Sequence, residues 1–160
     1  MNNKFMLAAI EESKKACMYD EVPIGAVIVK NKKIIAKAYN TKEKDNFVCS
    51  HAEIKAIEQA SRILNNWRLD ECDIYITLEP CPMCASAIKQ ARVNKVFFGI
   101  RNSDYNNMAI IKKIFEQDKN NKKVMMYGGY YIDKIRKILK DFFYAKRVKW
   151  VMLLYQKPKI

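Results

Sequence analysis

The sequence predicts an α/β fold in which helices cover both faces of a central, mixed, five-stranded sheet, giving three layers. Three observations carry that expectation. Apolar residues recur at helical spacing in five stretches, and five short runs rich in β-branched and aromatic residues lie between them. In the second half of the chain the two kinds of segment alternate, which calls for parallel strands joined by helical crossovers.

Each element has its own signal. Residues from about Asn2 to Met18 predict a helix with Phe5, Met6, Ala9, Ile10 and Ala16 facing inward. Ile24–Val29 and Ile34–Tyr39 predict two strands, joined through the turn Lys30-Asn31-Lys32-Lys33 as a hairpin. A second helix opens at His51, with Ile54, Ile57, Ala60, Ile63 and Leu64 at helical spacing. Ile74–Leu78 reads as a third strand, and Lys95–Gly99 as a fourth. Between them Pro82 starts a helix, because proline's fixed φ and missing donor suit the first helical position. A helix from about Met108 to Gln117, a strand at Val124–Tyr127 and a long helix from Tyr130 to Arg147 complete the order. Within the last helix Ile135, Ile138, Leu139 and Phe142 are spaced for the core.

Composition bounds the functional classes. At 160 residues, half of them hydrophobic, the chain can bury roughly two thirds of its unfolded surface. No Gly/Ser/Pro linker divides it, so one domain over 1–147 is expected, followed by a tail at 148–160 with no predicted packing. An odd count of five cysteines, no basic-then-apolar leader and no membrane-length apolar run favour a cytoplasmic protein with reduced thiols. Lys+Arg outnumber Asp+Glu by 30 to 17, a net charge of +13 that favours a polyanionic partner over a small neutral one. A basic but functionless solvated surface is the plainer reading. Against it, Lys134, Arg136, Lys137, Lys140, Lys146, Arg147 and Lys149 crowd the C-terminal stretch among aromatic residues, a mixture suited to phosphates and splayed bases. Of those aromatics, Phe143 is the candidate contact.

The chemistry is concentrated in His51-Ala52-Glu53 and Pro80-Cys81-Pro82-Met83-Cys84. One imidazole and two thiolates are three zinc ligands, and three protein ligands leave a fourth position at which water can be activated. The two residues between Cys81 and Cys84 let both sulfurs reach one ion, at the electropositive start of the Pro82 helix where thiolates are favoured. Glu53 is a spare carboxylate, placed to take a proton from water and return it to a leaving amine. Blander readings exist for each part. Ser50-His51-Ala52-Glu53 also fits a capping box, and Cys-x-x-Cys also fits a redox pair or half of a structural zinc knuckle. Cys49 is the residue that could close the metal site as a fourth ligand. The single histidine of the chain, however, falls inside the motif, thirty residues before the first cysteine of the pair.

His-x-Glu with Pro-Cys-x-x-Cys resembles the signature of zinc-dependent nucleobase deaminases. Asp20-Glu21-Val22-Pro23-Ile24-Gly25, Asn66-Trp67-Arg68-Leu69, Leu78-Glu79-Pro80-Cys81 and Asp141-Phe142-Phe143 make the chain similar to the bacterial-type tRNA-specific adenosine deaminases in particular, from about Met6 to Arg147. The resemblance implies a three-layer cytidine-deaminase-like fold, one Zn2+ per chain on His51, Cys81 and Cys84, and Glu53 as the catalytic proton shuttle. It further implies hydrolytic conversion of adenosine to inosine at the wobble position of a tRNA anticodon stem-loop, by a homodimer with no organic cofactor and no membrane. Asn40, the backbone of Ala52, Pro23 and Ile24 match substrate-contacting positions of the family; a turn residue would account for Asn40, and an apolar strand start for Pro23 and Ile24, without a ligand. Glu21 and Arg68 match bracing positions. A free-base or nucleotide deaminase shares the same metal core, and a non-catalytic RNA-binding module with structural zinc is the third reading; Glu53 speaks against the last.

One segment departs from the family pattern. After Phe98-Gly99 the relatives run through an aspartate into a Gly/Ala-rich loop, whereas this chain has Ile100-Arg101-Asn102-Ser103-Asp104-Tyr105-Asn106-Asn107-Met108. Asn102 stands where the aspartate is expected and is a candidate substrate contact. Loss of a negative charge beside a phosphate backbone is expected to relax discrimination between RNA and DNA.

Overall fold

The computed structural model describes residues 3–102, 107–116 and 123–155. Of the segments read above, Asn2, Ser103–Asn106, Gln117 and the tail from Gln156 lie outside the described residues. The chain runs α1 (Lys4–Cys17), β1 (Gly25–Lys30), β2 (Lys33–Tyr39), the single turn α2 (Lys42–Asp45), α3 (Ala52–Leu64), β3 (Cys72–Leu78), α4 (Pro82–Gln90), β4 (Lys95–Ile100), α5 (Asn107–Glu116), β5 (Met125–Tyr127) and α6 (Ile132–Tyr155). The strands form one sheet in the order β2-β1-β3-β4-β5. β1 pairs antiparallel with β2 and β3, while β3–β4 and β4–β5 are parallel, so the sheet is mixed as the alternating half of the sequence requires.

Local chemistry sets the boundaries. α1 starts at Lys4 because the Asn3 side chain accepts from the N–H groups of Phe5 and Met6, satisfying two orphan donors of the first turn. The β1–β2 hairpin closes tightly on Asn31 and Lys32, both at positive φ (49° and 60°), the geometry that matches strand twist. Gly25 opens β1 where a Cβ would lie 2.1 Å from the Ala9 carbonyl oxygen of α1, so no side chain fits there.

Two apolar clusters fill the space on either side of the sheet. One joins Ala52, Ala56 and Ala60 of α3 and Ala85 and Ile88 of α4 to Ile28, Ile74, Ile76 and Val96. The other packs Met6, Ala9 and Ile10 of α1 and Ile135 of α6 on Val27, Val29 and Tyr75. The alternation of Val27 and Ile28 between clusters is the period-two signature of a strand buried on both faces.

The expectation for α3 needs correction. Ala60 is buried and Ile57 and Leu64 pack against the core as expected, but the most buried face also takes in Ala52, Glu53 and Ala56, and Ile63 is 57% exposed. Small side chains let the helix lie close to β1 and β2, which turns Ile54 and Ile57 toward α4 and an open groove. Ala56→Leu should therefore overpack the sheet contact and cost about 1–3 kcal/mol. Urea denaturation checks this, and an unchanged midpoint would mean the helix rides higher on the sheet than described.

The last helix also differs from its predicted extent. α6 continues from Arg147 to Tyr155 without a break, since no glycine or proline interrupts the sequence before Pro158.

Candidate metal centre and active site

Hydrogen bonds draw the ends of several elements to one edge of the sheet. The Gly25 N–H donates to Thr77 Oγ1 (3.1 Å), joining the start of β1 to the end of β3. The Asn40 N–H donates to the Ile24 carbonyl (3.0 Å) and the Thr41 N–H to the Ser50 carbonyl (3.0 Å), which brings the end of β2 beside the start of α3. The Glu79 N–H donates to the Ile100 carbonyl (2.8 Å), extending the parallel β3–β4 pairing one residue beyond β3. The starts of α3 and α4 thus meet over the carboxyl ends of β3 and β4, where open α/β sheets place their sites.

Both motifs sit at those helix starts. His51 and Cys81 are the N-cap residues of α3 and α4, each in extended backbone, and Pro82 occupies the first turn of α4 with Cys84 two residues on. His51 Nδ1 lies 3.8 Å from Cys81 Sγ and 3.4 Å from Cys84 Sγ. Ligand atoms of all three lie within 4.8 Å of one another, and among the described residues they form the one His/Cys/Asp/Glu group able to hold a metal ion. Tetrahedral zinc with Zn–N near 2.0 Å and Zn–S near 2.3 Å puts nitrogen and sulfur roughly 3.5 Å apart. The donor set fits that spacing. Cys49 is not a member: its sulfur stands 4.0 Å from Met83 Sδ.

The electrostatics of the group are those of a thiolate–imidazole site. A hydrogen bond from the Cys84 thiol holds Cys81 down to about 4, with further help from His51. The same bond, with burial, pushes the Cys84 thiol up. His51 is raised, chiefly by its hydrogen bond to Cys81. Glu53 is 4% exposed, and burial pushes its carboxyl up to about 7 despite the opposing charge of His51. Its carboxylate also interacts with the Cys84 thiol, so it faces the three donors rather than solvent. The capping-box alternative fails here, because the N-cap is His51 and no side chain caps the helix.

The other candidate residues fall in two places. Asn40 and Pro23 are buried and Ile24 is half-buried at the β1–β2 edge, and Ala52 is the buried first residue of α3. The Asn40 amide donates to Glu21 Oε2 (3.3 Å) and the Val22 carbonyl (3.4 Å). Glu21, 1% exposed, also accepts from the Lys44 N–H (2.6 Å), so it braces this loop by hydrogen bonds. Arg68 is exposed and lies over the Trp67 ring (5.1 Å). Asn102, past the end of β4, donates its N–H to Glu79 Oε2 (3.1 Å). Phe143 stands apart on α6, 46% exposed and edge-on to Phe142.

Sequence reading passed over Glu79 as a site feature. Its carboxylate is 2% exposed, ties the Cys81 segment to the Asn102 segment, and keeps a second oxygen, Oε1, without a protein partner among the described residues. An acidic residue directly after the β-branched and aromatic segment Ile74–Leu78 was the available signal.

Comparison with known proteins decides the family. A family model of MafB19-like deaminases matches residues 1–147. A tRNA-specific adenosine deaminase of Bacillus subtilis (strain 168) is 38% identical over 145 residues, covering 91% of this chain and 90% of the relative. The chain belongs to the tRNA-specific adenosine deaminase family. A relative of the same description from Rickettsia bellii is 38% identical over 140 residues, covering 86% of this chain and 97% of its own length. Among solved structures, one from a study of A-to-I editing by tRNA deaminases at the wobble position of transfer RNA superposes with a TM-score of 0.79 at 35% identity, covering 86% of this chain and all of that one. This fold match bears out the cytidine-deaminase-like architecture. A guanine deaminase from Bacillus subtilis matches at a TM-score of 0.61 and 38% identity over 65% of this chain and 68% of that chain.

Proposed function

We propose that this protein hydrolyses adenosine to inosine at the wobble position of tRNA anticodons, with one Zn2+ per chain on His51, Cys81 and Cys84. The observation that carries the reading is the buried Glu53 carboxyl facing three convergent donors in a deaminase-family chain. Zinc at such a site supplies Lewis-acid activation of water. Glu53 accepts a proton from the water whose oxygen bonds to the amino-bearing carbon of the base. It then delivers protons to the ring nitrogen and to the departing amine, so that ammonia leaves and the ring gains oxygen. Asn40, Ala52, Pro23, Ile24 and Asn102 form the surround in which the base is held. Hydrolysis consumes only water, so no organic cofactor is needed.

Polynucleotide rather than free base follows from charge. The +13 net charge and the basic α6 suit a phosphate backbone, whereas a free-base deaminase, the reading favoured by the guanine deaminase likeness, gains nothing from them. Inosine appearing in total tRNA incubated with the purified protein, with no ammonia released from guanine or cytosine, is the expected result. Ammonia from the free bases alone would replace this reading with the alternative.

The homodimer belongs to the same proposal. Between α3 and α4 runs an open groove of about 1270 Å³ lined by Cys49, Ile54, Ile57, Trp67 and Met83, and Trp67 is 57% exposed. Apolar surface of this extent suits a second copy of the chain. Trp67→Glu is expected to shift the protein to monomer in analytical ultracentrifugation; an unchanged dimer would move the interface elsewhere. A cytoplasmic location accords with the free cysteines, and among the described residues no helix is long and apolar enough to cross a membrane.

A further inference from the structure

Glu21 is an acid that is only 1% exposed. Both of its oxygens act as acceptors, Oε1 from the Lys44 N–H (2.6 Å) and Oε2 from the Asn40 side-chain amide (3.3 Å), and among the described residues it makes no ion pair. A buried carboxylate with no counter-ion is a costly brace. Glutamine has the same shape and would accept the Lys44 N–H as well, at a lower cost in desolvation. Bracing the loop does not account for the negative charge.

What an acid adds is a constraint on Asn40. An amide side chain carries donors at one end and an acceptor at the other, and a neighbour able both to donate and to accept would tolerate either orientation. A carboxylate only accepts. It holds Nδ2 of Asn40 toward itself, where the Val22 carbonyl (3.4 Å) is a second acceptor, and turns Oδ1 the other way. Among the described residues Oδ1 has no partner of its own. The backbone sets Asn40 at the edge of the site: its N–H is held by the Ile24 carbonyl, and the next N–H, of Thr41, by the carbonyl of Ser50, one residue before His51.

We propose that Glu21 is a positioning residue that fixes the orientation of the Asn40 amide, so that Oδ1 rather than Nδ2 meets the nucleoside and takes a hydrogen bond from it. This rests on the proposed function and names the kind of group recognised. Inside an RNA strand the 3′ and 5′ oxygens of adenosine are esterified, which leaves two donors, the 2′-hydroxyl and the 6-amino group. The ring nitrogens carry no proton and give Oδ1 nothing to accept.

The test inverts the pair. Asn40→Asp sets two carboxylates against each other and is expected to lower kcat/KM on stem-loop RNA by about a hundred-fold. Adding Glu21→Gln supplies a donor to the new carboxylate while an oxygen still faces the nucleoside, so the double variant is expected to return to within about ten-fold of wild type. Glu21→Gln alone lets the Asn40 amide turn over, with an expected loss of about ten-fold, the scale of one hydrogen bond. A double variant no better than Asn40→Asp would overturn the proposal, as would unchanged kinetics in Glu21→Gln. Placing 2′-deoxyadenosine at the edited position separates the two donors: a penalty in wild type that vanishes in Glu21→Gln assigns the hydroxyl, and an equal effect in both assigns the amine. The side-chain amide protons of Asn40, followed by NMR, are expected to exchange slowly with water in wild type and faster in Glu21→Gln. That readout needs no turnover. If the wild type forms no inosine the proposed function fails, and equal exchange rates in the two proteins would still overturn the role of Glu21.

Discussion

Glu53→Ala is expected to leave a folded protein that still takes up one zinc ion per chain and forms no measurable inosine. In the proposed mechanism the carboxylate serves both proton transfers and none of the metal binding, so its removal withdraws general base and general acid together, a loss of about 10³- to 10⁴-fold in kcat. Nothing in the donor set changes, because His51 Nδ1 stands 3.4 and 3.8 Å from the two sulfurs and Glu53 is not one of the three grouped donors. Metal analysis of the purified variant beside a single-turnover assay on stem-loop RNA checks both halves. An active Glu53→Ala enzyme would remove Glu53 from the mechanism, whereas an inactive, metal-free one would recast it as a ligand.

His51→Ala is expected to fail in the other order, losing the metal first and activity as a consequence. Two thiolates at the start of a nine-residue helix remain, but with the chain's single histidine gone no nitrogen donor can replace it. Zinc content should fall well below one per chain, by a margin comparable with the 10- to 100-fold affinity loss that even supporting residues of metal sites produce. The prediction extends to folding. Zinc binding is linked to the native state, so the wild type should melt higher with metal than after chelation, and the variant should show no such difference. Stoichiometric zinc in His51→Ala would show that Cys49 or another donor can swing in, and would end the three-ligand assignment.

Legibility from sequence followed the physics of each feature. Local signals carried the zinc motif: Pro82 at the start of α4, both cysteines in or beside its first turn, and His51 at the cap of α3 depend on neighbours within four residues. Strand placement followed from period-two burial and β-branched runs, and all five strands lie within a residue or two of where they were expected. The face of α3 was harder. An apolar stripe shows which residues avoid water, yet how near a helix lies to a sheet depends on the smallest side chains, and Ala52 and Ala56 joined Ala60 against the sheet ahead of Ile54 and Ile63. Glu79 was illegible for a related reason: its partner, the Asn102 N–H, is 23 residues away, and only the parallel pairing of β3 with β4 brings the two together.

By itself, then, the order of residues determined which groups could do chemistry, that three of them suit a metal ion with an acid close by, and that basic residues gathered toward the C-terminus. Those are properties of composition and short-range spacing, which backbone geometry converts into local structure with little outside help. Tertiary structure decided which alternatives survived. It set Cys49 beside Met83 and out of the donor set, buried Glu53 so that desolvation pushes its carboxyl up to about 7, and ran α6 on past residue 147. Burial and contact between residues remote in sequence made those choices, because desolvation and donor distance exist only once the chain has closed on itself.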